Sequence, residues 1–220
     1  MNTTPLELNK IYDLAYNALK KHGCDDFNAE SVATTVTHAE RDGSVSHGLF
    51  RIPGYIASLE SKKVNGASRP SSTYLTQNAI RVEGDYGFAP VAIKVGLPDL
   101  IKTTSSHGVG ILTITNTHHF AALWHETEAL AEKNLIGIAC TAYKPSVAPA
   151  GAKKPLFGTN PISFAWPRKN NTPVVYDMAT STMAMGEVQV AARDGHKVPF
   201  GTGLNKEGDK TDDPSQIANG

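Results

Sequence analysis

The sequence predicts an α/β protein in which an N-terminal helical region precedes a sheet domain. Three observations carry that reading. Apolar residues recur at helical intervals before Gly43, a Ser/Pro/Thr-rich stretch runs from Ala67 to Thr76, and β-branched and aromatic runs then alternate with helical stretches. The expected regions are residues 1–65, carrying a Ser-His-Arg motif, and residues 66–220.

Leu6, Leu8, Ile11, Leu14, Ala15, Ala18 and Leu19 predict a first helix, which Gly23 ends. Ala29, Val32, Ala33, Val36 and Ala39 form the buried stripe of a second, from about Asn28 to Gly43. A third begins near Ser46 to Gly48 and continues through Ile52, Tyr55, Ile56 and Leu59, with Pro53 in its first turn. Ala67–Thr76 reads as the crossing into the sheet domain. Strands are expected at Ala79–Val82, Val109–Thr115, Ile136–Ala142, Ile162–Trp166 and Val174–Asp177. Between them lie helices at Pro90–Thr103, interrupted by Pro98, and at Phe120–Lys133. A last helix carries Met185, Gly186, Glu187, Val188, Val190, Ala191 and Ala192.

Such alternation ordinarily means a parallel, doubly wound nucleotide fold. The one glycine turn beside a strand, His107-Gly108-Val109-Gly110, lacks the third glycine of a dinucleotide cradle and leads into a strand instead of a helix. A Rossmann phosphate site is therefore not supported.

Composition narrows the function. Forty per cent of residues are hydrophobic, and 21 Lys plus Arg balance 21 Asp plus Glu, so no basic excess points to nucleic acid or an anionic membrane. Without a basic, apolar leader or a membrane-length apolar run, the expected location is the cytoplasm. Cys24 and Cys140 stand far apart and suit neither a disulfide framework nor a zinc site. Adjacent His118 and His119 would diverge on any regular element, and no metal is expected.

Ser46-His47-Gly48-Leu49-Phe50-Arg51 sets an imidazole and a guanidinium four residues apart. On one helical face, Arg51 would hold a substrate carboxylate while His47 moves a proton at the neighbouring atom. Two readings are open on spacing alone, because Ser46 could cap a helix and Arg51 could be a solvated charge.

Arg41-Asp42-Gly43-Ser44 before that motif, Thr117-His118-His119-Phe120-Ala121-Ala122-Leu123-Trp124, Leu156-Phe157-Gly158-Thr159-Asn160-Pro161 and Asp177-Met178-Ala179-Thr180-Ser181 occur in this order. Together they resemble the malate/L-lactate dehydrogenase-like oxidoreductases. His47–Tyr55 and His118–Trp124 most resemble the Δ1-piperideine-2-carboxylate/Δ1-pyrroline-2-carboxylate reductases of that family.

The resemblance implies a non-Rossmann NAD(P)-binding domain with a mixed to antiparallel sheet, NADPH or NADH as cofactor, and a homodimer. It assigns Ser46, His47 and Glu187 to a proton relay, with Glu187 standing where related reductases commonly have Asp. Arg51, Thr159, Met185 and Gly186 fall to substrate, and His119, Phe120, Ala121, Ala122, Leu123, Asp177, Met178 and Ala179 to cofactor. A helix starting at Phe120 would turn free N–H groups toward cofactor phosphate, and a carboxylate near His47 would favour its charged form.

The implied reaction is reduction of a cyclic imino acid, with 2-oxo acid reduction of the malate, lactate or ureidoglycolate type as the alternative. Family members continue beyond the position of Gly220 through further cofactor-binding residues. A C-terminal truncation is thus expected, and with it the third reading of an inactive ligand-binding or dimerising fragment.

Overall fold

The computed structural model describes residues 5–219; residues 1–4 and Gly220, the outer ends of the two expected regions, lie outside it. Helix α1 (Leu8–Lys21) and helix α2 (Asp26–Arg41) form an antiparallel pair, α2 being capped by the Asp25 carboxylate on the Asn28 N–H. Helix α3 (Ile52–Glu60) completes the helical layer, with Pro53 in its first turn as expected. Ala15, Leu19, Val32, Val36, Ile52, Tyr55 and Leu59 form its core, joined by Phe88 and Val91 from the next helix.

The third helix starts later than its pattern predicts. Val45–His47 and Leu49–Arg51 are two separate 3-10 turns, broken at Gly48, whose ψ of −142° leaves the helical region. His47 and Arg51 therefore do not share an α-helical face. Their relation is set by the bend between the turns.

Two small sheets follow. In the first, β1 (Ser71–Tyr74) pairs antiparallel with β2 (Ala79–Glu83), which pairs parallel with β3 (Ile111–Thr115). Strand β1 lies inside the Ser/Pro/Thr-rich stretch that reads as a crossing, because alternation is weak where nearly every residue is polar. Helix α4 (Ala89–His107) connects β2 to β3 and runs straight through Pro98. It lies so close to the sheet that a Cβ on Gly96 would stand 2.7 Å from Val82 and 3.0 Å from Leu112. Gly108 ends it in the left-handed conformation, at φ +82°.

The second sheet is antiparallel throughout, with β4 (Gly137–Cys140), β5 (Ile162–Arg168) and β6 (Asn171–Met178) in that order. Helix α5 (Trp124–Ala131) covers one face, where buried Thr127 and Ser163 share a 2.7 Å hydrogen bond. Helix α6 (Met185–Asp194), a two-stranded ribbon at 203–204 and 210–211, and helix α7 (Pro214–Ala218) close the described chain. The mixed α/β architecture matches the expected class, and neither sheet is doubly wound. No helix among the described residues is long and apolar enough to cross a membrane.

Candidate active site

A cavity of about 1440 Å³ is lined by the 3-10 turns, α3, the 116–123 loop, the end of β6 and the start of α6. That exceeds the roughly 300–1,000 Å³ usual for one drug-sized ligand, leaving room for a dinucleotide beside a small molecule. All fifteen side chains singled out in the sequence line it: Ser46, His47, Arg51, His119, Phe120, Ala121, Ala122, Leu123, Thr159, Asp177, Met178, Ala179, Met185, Gly186 and Glu187.

His47 is mostly buried. Ser46 Oγ lies 2.9 Å and Ser44 Oγ 3.3 Å from its Nδ1. With a hydroxyl donating there, the neutral ring carries its hydrogen on Nε2, which has no protein partner among the described residues. Burial first, and then Arg51, push this imidazole down to about 4. The expectation of a carboxylate favouring its charged form is overturned. Glu187 is exposed at the start of α6 and makes no hydrogen bond or ion pair to His47 or Ser46.

Arg51 is the most informative group. It forms no salt bridge among the described residues, its Nε is buried without a hydrogen-bond partner, and burial lowers the guanidinium's pKa. Gly186 makes room for it: a Cβ there would overlap Arg51 Nη2 and stand 3.1 Å from Ser46 Cβ. Ala184 gives α6 no side-chain cap, so the Met185 and Gly186 N–H groups meet the cavity beside Arg51. A guanidinium and an uncapped helix start together suit a carboxylate.

Tyr55, fully buried on α3, places its hydroxyl 3.0 Å from His119 Nδ1. Burial, then Arg51, His47 and His118, push His119 down to about 3. His118 contacts the same helix one turn further on, its Nε2 lying 3.2 Å from Ser58 Oγ. The adjacent histidines, expected to diverge, instead lie side by side against α3 with ring centroids 6.4 Å apart, and the described residues contain no group of three or more metal-ligating side chains. Arg51 keeps a positive charge on this wall beside the neutral His47 and His119 rings, with no counterion among the described residues.

The helix expected from Phe120 begins only at Trp124. Its first N–H is already taken, because Asp177 Oδ2 accepts from Trp124 at 2.9 Å. Asp177 therefore caps α5, the helix that precedes it in the chain, and its carboxylate holds the first N–H that phosphate was expected to meet. What remains open is the loop before it, where the backbone N–H groups of His119 to Ala122 donate to no protein backbone. Ala121 and Ala122 add little bulk, so a phosphate-bearing cofactor fits this wall through main-chain donors.

Thr159 is buried in the lining of the same cavity, and its hydroxyl makes no hydrogen bond among the described residues. The turn around it is pinned by Asn160 Oδ1, which accepts the Tyr143 N–H at 3.0 Å, and by Thr180, whose N–H donates to Thr159 O at 2.9 Å. The sequence did not single out Tyr55, Ser44 or Trp124. Tyr55 is hidden among the α3 core positions, whereas Ser44, three residues before His47, repeats the spacing of a cap and could have been read as one.

Comparison with known proteins gives this geometry its family. The Malate/L-lactate dehydrogenase family matches residues 6–220, and the chain belongs to it. A Δ1-pyrroline-2-carboxylate/Δ1-piperideine-2-carboxylate reductase of Pseudomonas putida is 41% identical over 96% of this chain and 62% of its own length. Its namesake in Pseudomonas aeruginosa is 39% identical over 98% of this chain and 64% of its own. The chain thus spans under two thirds of these curated relatives.

Among solved structures, the Δ1-piperideine-2-carboxylate reductase of Pseudomonas syringae superposes with a TM-score of 0.93 at 41% identity, over 99% of this chain and 66% of that one. Malate dehydrogenase from Entamoeba histolytica gives 0.92 at 28% identity, over 98% and 60%.

Proposed function

We propose that this chain carries the substrate pocket and part of the cofactor wall of a nicotinamide-dependent reductase of cyclic imino acids. Its substrates are Δ1-piperideine-2-carboxylate and Δ1-pyrroline-2-carboxylate, reduced to L-pipecolate and L-proline. The observation that supports this most is Arg51, a partly buried cation with no counterion among the described residues, facing the same cavity as a neutral imidazole.

Arg51 binds the ring carboxylate through paired hydrogen bonds, aided by the open N–H groups of Met185 and Gly186. Its charge is then offset, which removes one of the two influences holding His47 neutral. The imidazole becomes easier to protonate as substrate arrives, and Nε2 delivers that proton to the ring nitrogen while C2 is reduced. Ser46 and Ser44 hold the ring by Nδ1. Thr159, in the lining of the same cavity, offers its hydroxyl to the substrate. Glu187 lines the same cavity from the exposed start of α6.

The loop from His119 to Leu123 and the segment Asp177 to Ala179 would hold the nicotinamide cofactor. When bound and reduced, it supplies the hydride for C2. NADPH is the proposed donor, and the same assay with NADH tests that preference.

A second reading, reduction of a 2-oxo acid, draws on the near-equal superposition with the Entamoeba malate dehydrogenase. C=O and C=N both need a proton or positive charge on the heteroatom. The higher identity to the reductases favours the imine. Purified protein is assayed for NADPH oxidation with each cyclic imine, pyruvate and oxaloacetate. Turnover of the imines supports the proposal, and rapid turnover of the oxo acids alone overturns it.

A further inference from the structure

The bend that brings His47 and Arg51 to one cavity occurs at Gly48, and a carboxylate eight residues earlier is packed into that bend. Glu40 stands in the last turn of α2, and its Oε1 accepts the Leu49 N–H at 2.7 Å. Its side chain presses directly on the glycine: a Cβ on Gly48 would overlap Glu40 Oε1 and Cδ and lie 2.7 Å from Cγ. Leu49 opens the helical segment that runs on through α3, and its N–H is one of the donors such a start leaves without a backbone acceptor. A carboxylate there acts as a remote cap, strengthened by its charge at the positive end of the segment.

On either side of the joint the backbone is tied locally, His47 N–H to Ser44 O at 2.8 Å and Arg51 N–H to Gly48 O at 2.9 Å. At the joint the Gly48 N–H is also tied locally, to Val45 O at 3.2 Å, whereas the Leu49 N–H is taken by the distant Glu40 side chain. Glu40 does not act on the imidazole by charge, since burial and Arg51 account for the shift of His47.

We propose that Glu40 is a positioning residue for the reaction assigned above, locking the Gly48 joint so that the His47 ring and the Arg51 guanidinium address the same small carboxylic acid. This rests on the proposed function for the identity of the ligand. The locked geometry itself does not.

The test compares Glu40→Ala with Glu40→Gln, which keeps the size and an Oε1 acceptor. Thermal unfolding, the NMR titration of the His47 imidazole and calorimetric binding of pyrrole-2-carboxylate are measured for both and for the parent. With Glu40→Ala, binding should weaken about tenfold or more, and His47 should titrate above its value of about 4 as the loosened turn admits water. Glu40→Gln should restore both to within about twofold in binding.

A lower melting temperature with binding and titration unchanged would make Glu40 merely structural and overturn the proposal. If the parent binds no pyrrole-2-carboxylate, the substrate assignment fails, while the His47 titration still decides: movement in Glu40→Ala supports positioning and its absence overturns it. Gly48→Ala, which evicts the same carboxylate, answers the question by the same readouts if Glu40→Ala does not fold.

Discussion

Replacing Arg51 by Met should make the protein more stable and less able to bind its ligand. The guanidinium has a buried Nε without a partner, no opposing charge among the described residues, and His47 and His119 as neighbours. Leaving a buried donor unsatisfied costs about 1–3 kcal/mol. Methionine keeps most of the aliphatic stem and removes that penalty. At about 2–4 °C per kcal/mol for a chain of this size, the melting temperature should rise by at least roughly 2 °C.

Losing one partner of a buried charged contact costs about 2 kcal/mol or more in binding, roughly thirtyfold. Thermal unfolding with and without pyrrole-2-carboxylate reads both effects at once, because a ligand that binds only the folded state raises the melting temperature. The parent should be stabilised by the ligand. Arg51→Met should start higher and gain much less at the same ligand concentration. A variant that melts lower than the parent and still responds as strongly to the ligand would refute the assignment of Arg51 as an unpaired anion receptor.

Gly186→Ala should act on Arg51 without touching its charge, since the added methyl overlaps Nη2; binding of pyrrole-2-carboxylate should fall severalfold while the far-ultraviolet spectrum is unchanged. Acid should destabilise the fold through its buried imidazoles. His47 is held at about 4 against an ordinary value of 6.5, so the unfolded chain binds its proton first, and stability falls as pH drops from about 6.5 toward 4. For His47 alone the full loss is on the order of 3 kcal/mol, and His119 and His125, at about 3 and 4, act in the same direction. Urea titrations at pH 7 and 5 measure it, and His47→Gln should flatten the dependence. Glu187→Gln should leave the His47 titration in place, because no contact joins the two; a shift would restore a direct relay.

Much of the fold is legible in the chain because its apolar spacing is strong where helices pack. Ala29 to Ala39 and Leu8 to Leu19 repeat every three or four residues, and both helices stand where that period puts them. Strand β1 is not legible, since Ser71-Ser72-Thr73-Tyr74 has almost no apolar alternation and is ordered by pairing with β2. Helix α4 survives Pro98 through tertiary packing on β2 and β3, which local propensity does not contain.

The site was legible as a set of residues but not as a geometry. Residue types in four motifs mark the wall of one cavity, yet sequence cannot show that Gly48 splits the helix, that the Asp177 carboxylate takes the first N–H of α5, or that Glu187 stays away from His47. The first is a local break that the helical spacing hides, and the other two are long-range relations. Asp177 and Trp124 are 53 positions apart in the chain.

The most direct test is a crystal structure of the protein with pyrrole-2-carboxylate bound. The carboxylate should lie on the Arg51 guanidinium, near the Met185 and Gly186 N–H groups, with the ring nitrogen facing His47 Nε2. A ligand seated elsewhere in the cavity, with Arg51 still unpaired, would contradict the central claim.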